Sequence, residues 1–192
     1  MKLTKIISVS INNPWKLFNE LFMYALKPFV LGYLKIFGVR VGTRSKFYGF
    51  PYVFRHKGSS IVIGKRFEDR NWCGSNPLGI NHRTILCTWK KGALIKVGKD
   101  VGISGGSIVA AKKIEIGDGT LIGANTTIID TDFHPLESPR RRYETKNVRS
   151  APVKIGKNVF IGTNAIILKG VNIPDNFVIP AGSVVRFDTK LK

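Results

Sequence analysis

From Val97 onward an aliphatic residue recurs at every sixth position. The hexads "VGKDVG", "ISGGSI" and "VAAKKI" run from Val97 to Ile114, and after the single residue Glu115 "IGDGTL", "IGANTT" and "IIDTDF" run from Ile116 to Phe133. The pattern resumes at Ile155 as "IGKNVF", "IGTNAI", "ILKGVN", "IPDNFV", "IPAGSV" and "VRFDTK", reaching Lys190, so that twelve hexads flank one interruption, residues 134–154. A period of six fits neither the helical repeat of 3.6 nor the alternation of a half-buried strand. It predicts an all-β solenoid of parallel coils, in which equivalent Ile and Val side chains stack and each coil buries its apolar face on its neighbours. With three hexads to a triangular coil, 97–114 forms one coil, 116–133 a second and 155–190 two more. Glycine at the second place of many hexads suits corners where backbones approach closely. Upstream, "IVIGKRF" and "ALIKVG" read as irregular earlier coils and "EDRNWCGSNPLGINH" as a loop.

A different periodicity marks the N-terminus. Asn13 followed by Pro14 has the form of an N-cap with proline in the first helical position. Lys16, Asn19 with Glu20, and Lys27 fall on one narrow polar stripe, while Trp15, Leu17, Phe18, Leu21, Phe22, Tyr24, Ala25, Leu26, Phe29 and Val30 form a wide apolar arc. Pro28 is expected to kink or break this amphipathic helix. Two readings of the arc stand open: packing on the rest of the protein or a sister subunit, or lying in a membrane interface with lysines toward the headgroups. Lys16, Glu20, Lys27 and Lys35 interrupt the segment, so a spanning helix is not expected, and no small-residue cleavage site follows "MKLTKIISVS", so neither is a secretory signal. The chain divides at this level into a helical segment and lead-in, 1–57, and a repeat domain, 58–192.

Charge narrows the partners. Lys and Arg number 31 against 12 acids, a formal net charge of +19 over 192 residues. Such a balance favours an anionic partner: nucleic acid, an anionic membrane surface or a phosphorylated small molecule. No nucleic-acid-binding motif accompanies the charge, which disfavours the first. Cys73 and Cys87 lack a CxxC or metal-ligand spacing and read as reduced thiols of a cytoplasmic protein.

The hexads, the interruption opening with "DFHP" and the resumption at "APVKIGKNVFIG" together resemble the hexapeptide-repeat acyltransferases, above all the sugar and polysaccharide O-acetyltransferases of bacterial surface-glycan pathways. The resemblance covers about residues 58 to 187. It implies a left-handed parallel β-helix, a homotrimer, acetyl-CoA as donor, and an active site between adjacent subunits. It also implies a cytoplasmic enzyme with a sugar or glycan acceptor, free or lipid-linked, attached peripherally to the inner face of the membrane if the N-terminal arc binds lipid.

Acetyl transfer to a hydroxyl needs a base for the alcohol proton and donors for the developing oxyanion, and histidine titrates near neutral pH. His134 is the first residue after a coil ends. In similar acetyltransferases a histidine in an "HP" context is the catalytic base, a role carried here to His134. Asp130 and Asp132 precede it and are candidates to orient the ring, with loop hydrogen bonding an equal alternative; Glu137 is a third. Arg140, Arg141 and Arg142, with Tyr143, offer guanidinium groups to a phosphate or carboxylate on the acceptor or its carrier, or else form a solvated basic loop. Where the family places a polar residue near the acceptor, from the coil before the histidine, this chain reads "ISGGSI", leaving Ser104 as the candidate. By resemblance acetyl-CoA lies along the later coils, at Gly162, Thr163, Lys169, Ala181 and Arg186. Pro174 and Pro180 depart from the family's usual glycines, and Arg186-Phe187 from its usual Thr-Lys.

Three alternatives compete. N-acetylation of a nucleotide-linked amino sugar uses the same fold. A non-catalytic glycan-binding solenoid would leave His134 incidental. A zinc enzyme of the kind found among carbonic anhydrases of this fold would need about three histidines. Only His56, His82 and His134 exist, the first two in or before irregular segments, so no metal is expected.

Overall fold

The computed structural model describes residues 12–189. Among the described residues, helix α1 (Pro14–Ile36) precedes eighteen short strands in six coils of three. The first coil is β1 (Val39–Val41), β2 (Lys46–Tyr48) and β3 (Tyr52–Arg55); the second is β4 (Ser60–Ile63), β5 (Glu68–Arg70) and β6 (Ile85–Thr88). The third is β7 (Leu94–Val97), β8 (Gly102–Ser104) and β9 (Ser107–Ala110); the fourth is β10 (Lys113–Ile116), β11 (Leu121–Ile122) and β12 (Thr127–Ile129). After the interruption come β13 (Val153–Ile155), β14 (Phe160–Ile161) and β15 (Ile166–Ile167), then β16 (Asn172–Ile173), β17 (Val178–Ile179) and β18 (Val184–Val185).

Every strand pairs in parallel with the strand three later. The result is three six-stranded sheets, A (β1, β4, β7, β10, β13, β16), B (β2, β5, β8, β11, β14, β17) and C (β3, β6, β9, β12, β15, β18), on the faces of a left-handed parallel β-helix. The register explains the period of six. In sheet A, Val41, Ile63, Val97, Ile116, Ile155 and Ile173 lie directly over one another. In sheet C, Val53, Leu86, Ile108, Ile128, Ile167 and Val185 do the same. All of these except the half-buried Val41 are buried, and each contributes roughly 1.5–3 kcal/mol on leaving water. Corners need residues without bulk: a Cβ on Gly162 would lie 2.4 Å from the Ala181 nitrogen, and one on Gly117 2.4 Å from the Gly156 oxygen.

Four features differ from the sequence reading. The coils begin at Val39, ahead of residue 58, and Val41, Phe47 and Val53 already keep the six-residue spacing. Glu68–Arg70 is a strand of sheet B, so the loop after it is 71–84, with a 3-10 turn at Cys73–Ser75. Helix α1 is unbroken through Pro28. The proline removes one N–H bond to the Tyr24 carbonyl, and both residues lie on the solvent-exposed side of the helix.

The fourth difference is the orientation of α1. Asn13 is its N-cap and Pro14 its first residue, without a side-chain capping bond. Its buried face is Asn19, Met23, Val30 and Leu34, the last two joining the core of the first coil. The Asn19–Glu20 part of the polar stripe therefore faces inward, while Lys16 stays exposed and Lys27 half-buried. Asn19 donates to the Gly74 carbonyl at 2.9 Å, and Glu20 accepts from Lys46 Nζ at 2.8 Å and from the Tyr48 hydroxyl at 2.5 Å. Burial pushes the Glu20 carboxyl up, but the hydrogen bonds from Lys46 and Tyr48, with the charges of Lys46 and Arg70, outweigh it and hold the group below the usual range. Most of the apolar arc is left outside.

Candidate active site

Each coil turns a corner from sheet C to sheet A, and at the fourth coil that corner is expanded into the interruption. The expansion is closed at its base by an antiparallel bridge between Thr131 and Ser150, by Asp132 N–H on the Arg149 carbonyl at 3.1 Å, and by Ala151 N–H on the Asp130 carbonyl at 3.0 Å. The loop thus leaves and rejoins the rigid ladder at a fixed point.

His134 stands where it leaves. Phe133 has φ 60, and His134 N–H donates to the Asp132 carbonyl at 2.7 Å. This is a three-residue turn around a left-handed bulky residue, a rare and strained form. The Phe133 ring is held edge-to-face by Trp89, centroids 5.6 Å apart, from the corresponding corner of the second coil. His134 itself is exposed. Its Nδ1 lies 3.1 Å from the Arg141 carbonyl. A carbonyl oxygen only accepts, so the tautomer that makes this bond carries its proton on Nδ1 and leaves the lone pair on Nε2. The chain thus provides an exposed nitrogen base on a rigid edge.

The two aspartates do other things. Asp130 is fully buried and accepts three backbone N–H bonds, from Ala111 at 2.5 Å, Lys112 at 2.8 Å and Lys113 at 2.7 Å. It ties the third coil's corner to the fourth. Asp132 pairs with Lys169 Nζ at 2.6 Å, and its other oxygen is buried without a hydrogen-bond partner among the described residues. The ring partner of His134 is therefore a backbone carbonyl, and Lys169 is engaged at the histidine edge. Glu137 is exposed and paired with Arg149. The three arginines are exposed; Arg141 donates to the Leu136 carbonyl at 3.0 Å and Arg142 sits over the Tyr143 ring at 5.6 Å.

A second edge, from sheet B to sheet C, collects Ser104, Gly162, Thr163 and Ala181. It is built from small residues: a Cβ on Gly123 would lie 2.6 Å from the Thr163 nitrogen, and the Thr163 hydroxyl donates to the Ala124 carbonyl at 2.7 Å. Loop 71–84 folds over its N-terminal part, where Asn76 Nδ2 donates to Ser104 Oγ at 2.9 Å and Asn81 N–H to Asn125 Oδ1 at 2.8 Å. A groove of about 470 Å³ opens there, lined by Trp15, Cys73, Gly74, Asn76, Pro77 and Gly79. Ser104 is buried behind Asn76, so Asn76 is the polar side chain that the groove presents. Arg186 belongs to the histidine edge, paired with Asp188 at 2.9 Å. Three of the five candidate donor-binding residues thus share the small-residue edge, and Lys169 and Arg186 do not. His56 and His82 each face the carbonyl of the next residue, at 2.6 and 2.7 Å.

Sequence reasoning missed Phe133, Trp89 and Asn76. Positive φ at Phe133 has no sequence signature, and contacts between coils depend on a register that the loops obscure.

Residues 113–129 and 152–186 match the family described as "Hexapeptide repeat of succinyl-transferase". The matched segments lie in the later coils, β10 to β18, where the six-residue repeat is most regular. The chain is similar to the galactoside O-acetyltransferase of Escherichia coli, 42% identical over 82 residues, which are 43% of this chain and 39% of that protein. It is also similar to the galactoside O-acetyltransferase of Lactococcus lactis, 37% identical over 82 residues, 43% of this chain and 38% of that one. The matched part is thus well under two thirds of either relative's length. Among solved structures the fold is shared with a mutant of AntD, an N-acyltransferase from Bacillus cereus in complex with dTDP-4-amino-4,6-dideoxyglucose and coenzyme A. That likeness has TM-score 0.53 at 21% identity and covers 81% of this chain and 78% of that one.

Proposed function

We propose that the protein is an acetyl-CoA-dependent O-acetyltransferase, acting on a sugar hydroxyl of a bacterial surface polysaccharide or of its lipid-linked precursor. The observation that carries this reading is His134: an exposed imidazole on a strained turn, its Nδ1 on the Arg141 carbonyl and its Nε2 left as the base. Similarity to sugar O-acetyltransferases supports the acceptor class. A donor drawn from acetyl-CoA places the reaction in the cytoplasm.

In the proposed step Nε2 accepts the proton of the acceptor hydroxyl as its oxygen attacks the thioester carbonyl. The C–O bond forms, the C–S bond breaks as the tetrahedral intermediate collapses, and the proton passes from the imidazolium to the departing thiolate, restoring the neutral ring. The Arg141 carbonyl holds the tautomer and steadies the charged ring, the part an aspartate plays in hydrolytic triads. Lys169 and Asp132 brace the turn. Arg140, Arg141 and Arg142 are placed to meet phosphate on a carrier.

The small-residue edge fits the donor: Gly123, Gly162 and Ala181 leave a wall without side-chain bulk, suited to a narrow pantetheine arm, with Thr163 beside it. That edge and the His134 edge are different corners of one solenoid. The proposed assembly is therefore a homotrimer in which the base edge of one subunit faces the donor edge of the next.

The test is release of free thiol from acetyl-CoA by the pure protein with a panel of sugars, amino sugars and glycans. His134→Ala should lower turnover by roughly 10²–10⁴-fold while leaving acetyl-CoA affinity near its original value; His56→Ala and His82→Ala should do far less. Wild-type turnover in the His134 variant would remove the base. Transfer to amino but not hydroxyl acceptors would replace O- by N-acetylation.

A further inference from the structure

Helix α1 presents a second apolar face, pointing away from the solenoid. Phe18, Phe22, Ala25, Phe29, Gly32 and Ile36 follow one another at alternating steps of four and three, and form one continuous stripe. Leu21 is 62%, Phe29 67% and Ile36 84% exposed. The loop 71–84 extends this surface: Trp72 meets the rings of Phe18 and Phe22 at about 6 Å, and Leu78, 74% exposed, follows Pro77 of the groove that Trp15 also lines. Two separate elements thus contribute to one apolar surface.

The charge around it selects the occupant. The helix carries one acid, Glu20, and that carboxylate is turned inward onto Lys46 and Tyr48. What remains outside is basic. Lys16 lies against the Trp15 ring at 5.4 Å, Lys35 is exposed in the last turn and Lys27 is half-buried. Two copies of this face would oppose like charges, in a chain already at +19. An anionic lipid surface offers both complements, hydrocarbon for the aromatic stripe and headgroups for the lysines. No helix among the described residues is long and apolar enough to cross a membrane, so the contact is in the plane of the interface.

We propose that α1, with Trp72 and Leu78, seats the protein flat on an anionic membrane, outer stripe buried in the headgroup boundary and solenoid standing off it. The surface is separate from His134, so the proposal stands whether or not the acyl-transfer reading does. It also puts the groove between Trp15 and Asn76 at the membrane, where a sugar on a lipid carrier would be presented.

Flotation of the full chain tests it. With vesicles of phosphatidylglycerol and phosphatidylethanolamine the protein should rise with the lipid, and raising the salt or using phosphatidylcholine alone should cut the bound fraction severalfold. Leu21→Glu/Phe29→Glu, both sites outside the core, should lower partitioning by at least about tenfold. Lys16→Glu/Lys35→Glu should lower it while leaving the apolar stripe intact. Circular dichroism and thermal melting should show both variants folded. Full-length protein that stays at the bottom with anionic vesicles overturns the proposal. So does a stripe variant that floats like its parent, or one whose main effect is to dissociate an oligomer, which would assign the stripe to a second copy.

Discussion

Asp69 occupies a place in the sheet B ladder that isoleucine fills in the four coils after it: Phe47, Asp69, Ile103, Ile122, Ile161 and Ile179 stack in register. Its carboxyl is completely buried, and burial pushes it up to about 7 despite hydrogen bonds from Thr84 Oγ1 and Asn71 Nδ2, each at 2.6 Å, that pull the other way. The folded chain thus keeps a proton that the unfolded chain gives up near pH 3.9. The contribution of Asp69 is fully present below about pH 4 and is lost as the pH rises through 7, a change on the order of a few kcal/mol. In Asp69→Asn the amide can donate to Thr84 and accept from Asn71, because the Thr84 hydroxyl turns to accept. The melting temperature of this variant should change little between about pH 5 and pH 8, whereas the parent's falls, leaving the variant the more stable at about pH 8. Parallel curves would show Asp69 to be ionised throughout. The same residue shows why "EDRN" reads as loop: an acid at a core position erases the hydrophobic signal. His134 was legible for the opposite reason, since an unbroken repeat on both sides isolates it; the left-handed Phe133 that aims it was not.

At the scale of the element, stability is set by neighbours in the stack. Ile114 is buried between Ile95 below it and Val153 above it, whereas Val185 lies on the last strand with Ile167 on one side only. Ile114→Ala should cost about 2–5 kcal/mol, and Val185→Ala distinctly less, because an interior rung loses contacts on both sides and leaves a cavity. Urea unfolding of the two variants measures this, and equal losses would deny the one-dimensional picture. The later coils were readable because nothing interrupts their spacing. The first was hidden although Val41, Phe47 and Val53 keep it, since aromatic and basic residues between them mimic a polar lead-in. Helix α1 was legible as an element but inverted in orientation. Sequence shows a narrow polar stripe and a wide apolar arc, while Lys46 and Tyr48, which draw Glu20 inward, come from a strand that periodicity did not reveal.

For the whole molecule, the decisive fact is that His134, the proposed base, and the small-residue wall stand on different edges. His134, Lys169 and Arg186 follow strands of sheet C; Gly162, Thr163 and Ala181 follow strands of sheet B. The short, regular turns of a stacked solenoid leave no means of bringing two corners together, so a site that uses both must be shared between copies, and a closed ring is the natural way to satisfy every copy equally. This makes complementation possible. His134→Ala removes the proposed base, and Ala181→Trp, at an exposed position, fills the proposed donor edge without entering the core; each homo-oligomer should be nearly inactive. Co-expressed in equal amounts under two affinity tags and purified through both, mixed trimers should regain roughly a third of the wild-type activity per site, because in any 2:1 ring one of the three interfaces joins an intact His134 edge to an intact Ala181 edge. Light scattering should give the mass of three chains. Mixed assemblies with no recovered activity, or active protein at the mass of one chain, would place the whole reaction within a single solenoid and require a donor path along the His134 edge, past Lys169 and Arg186.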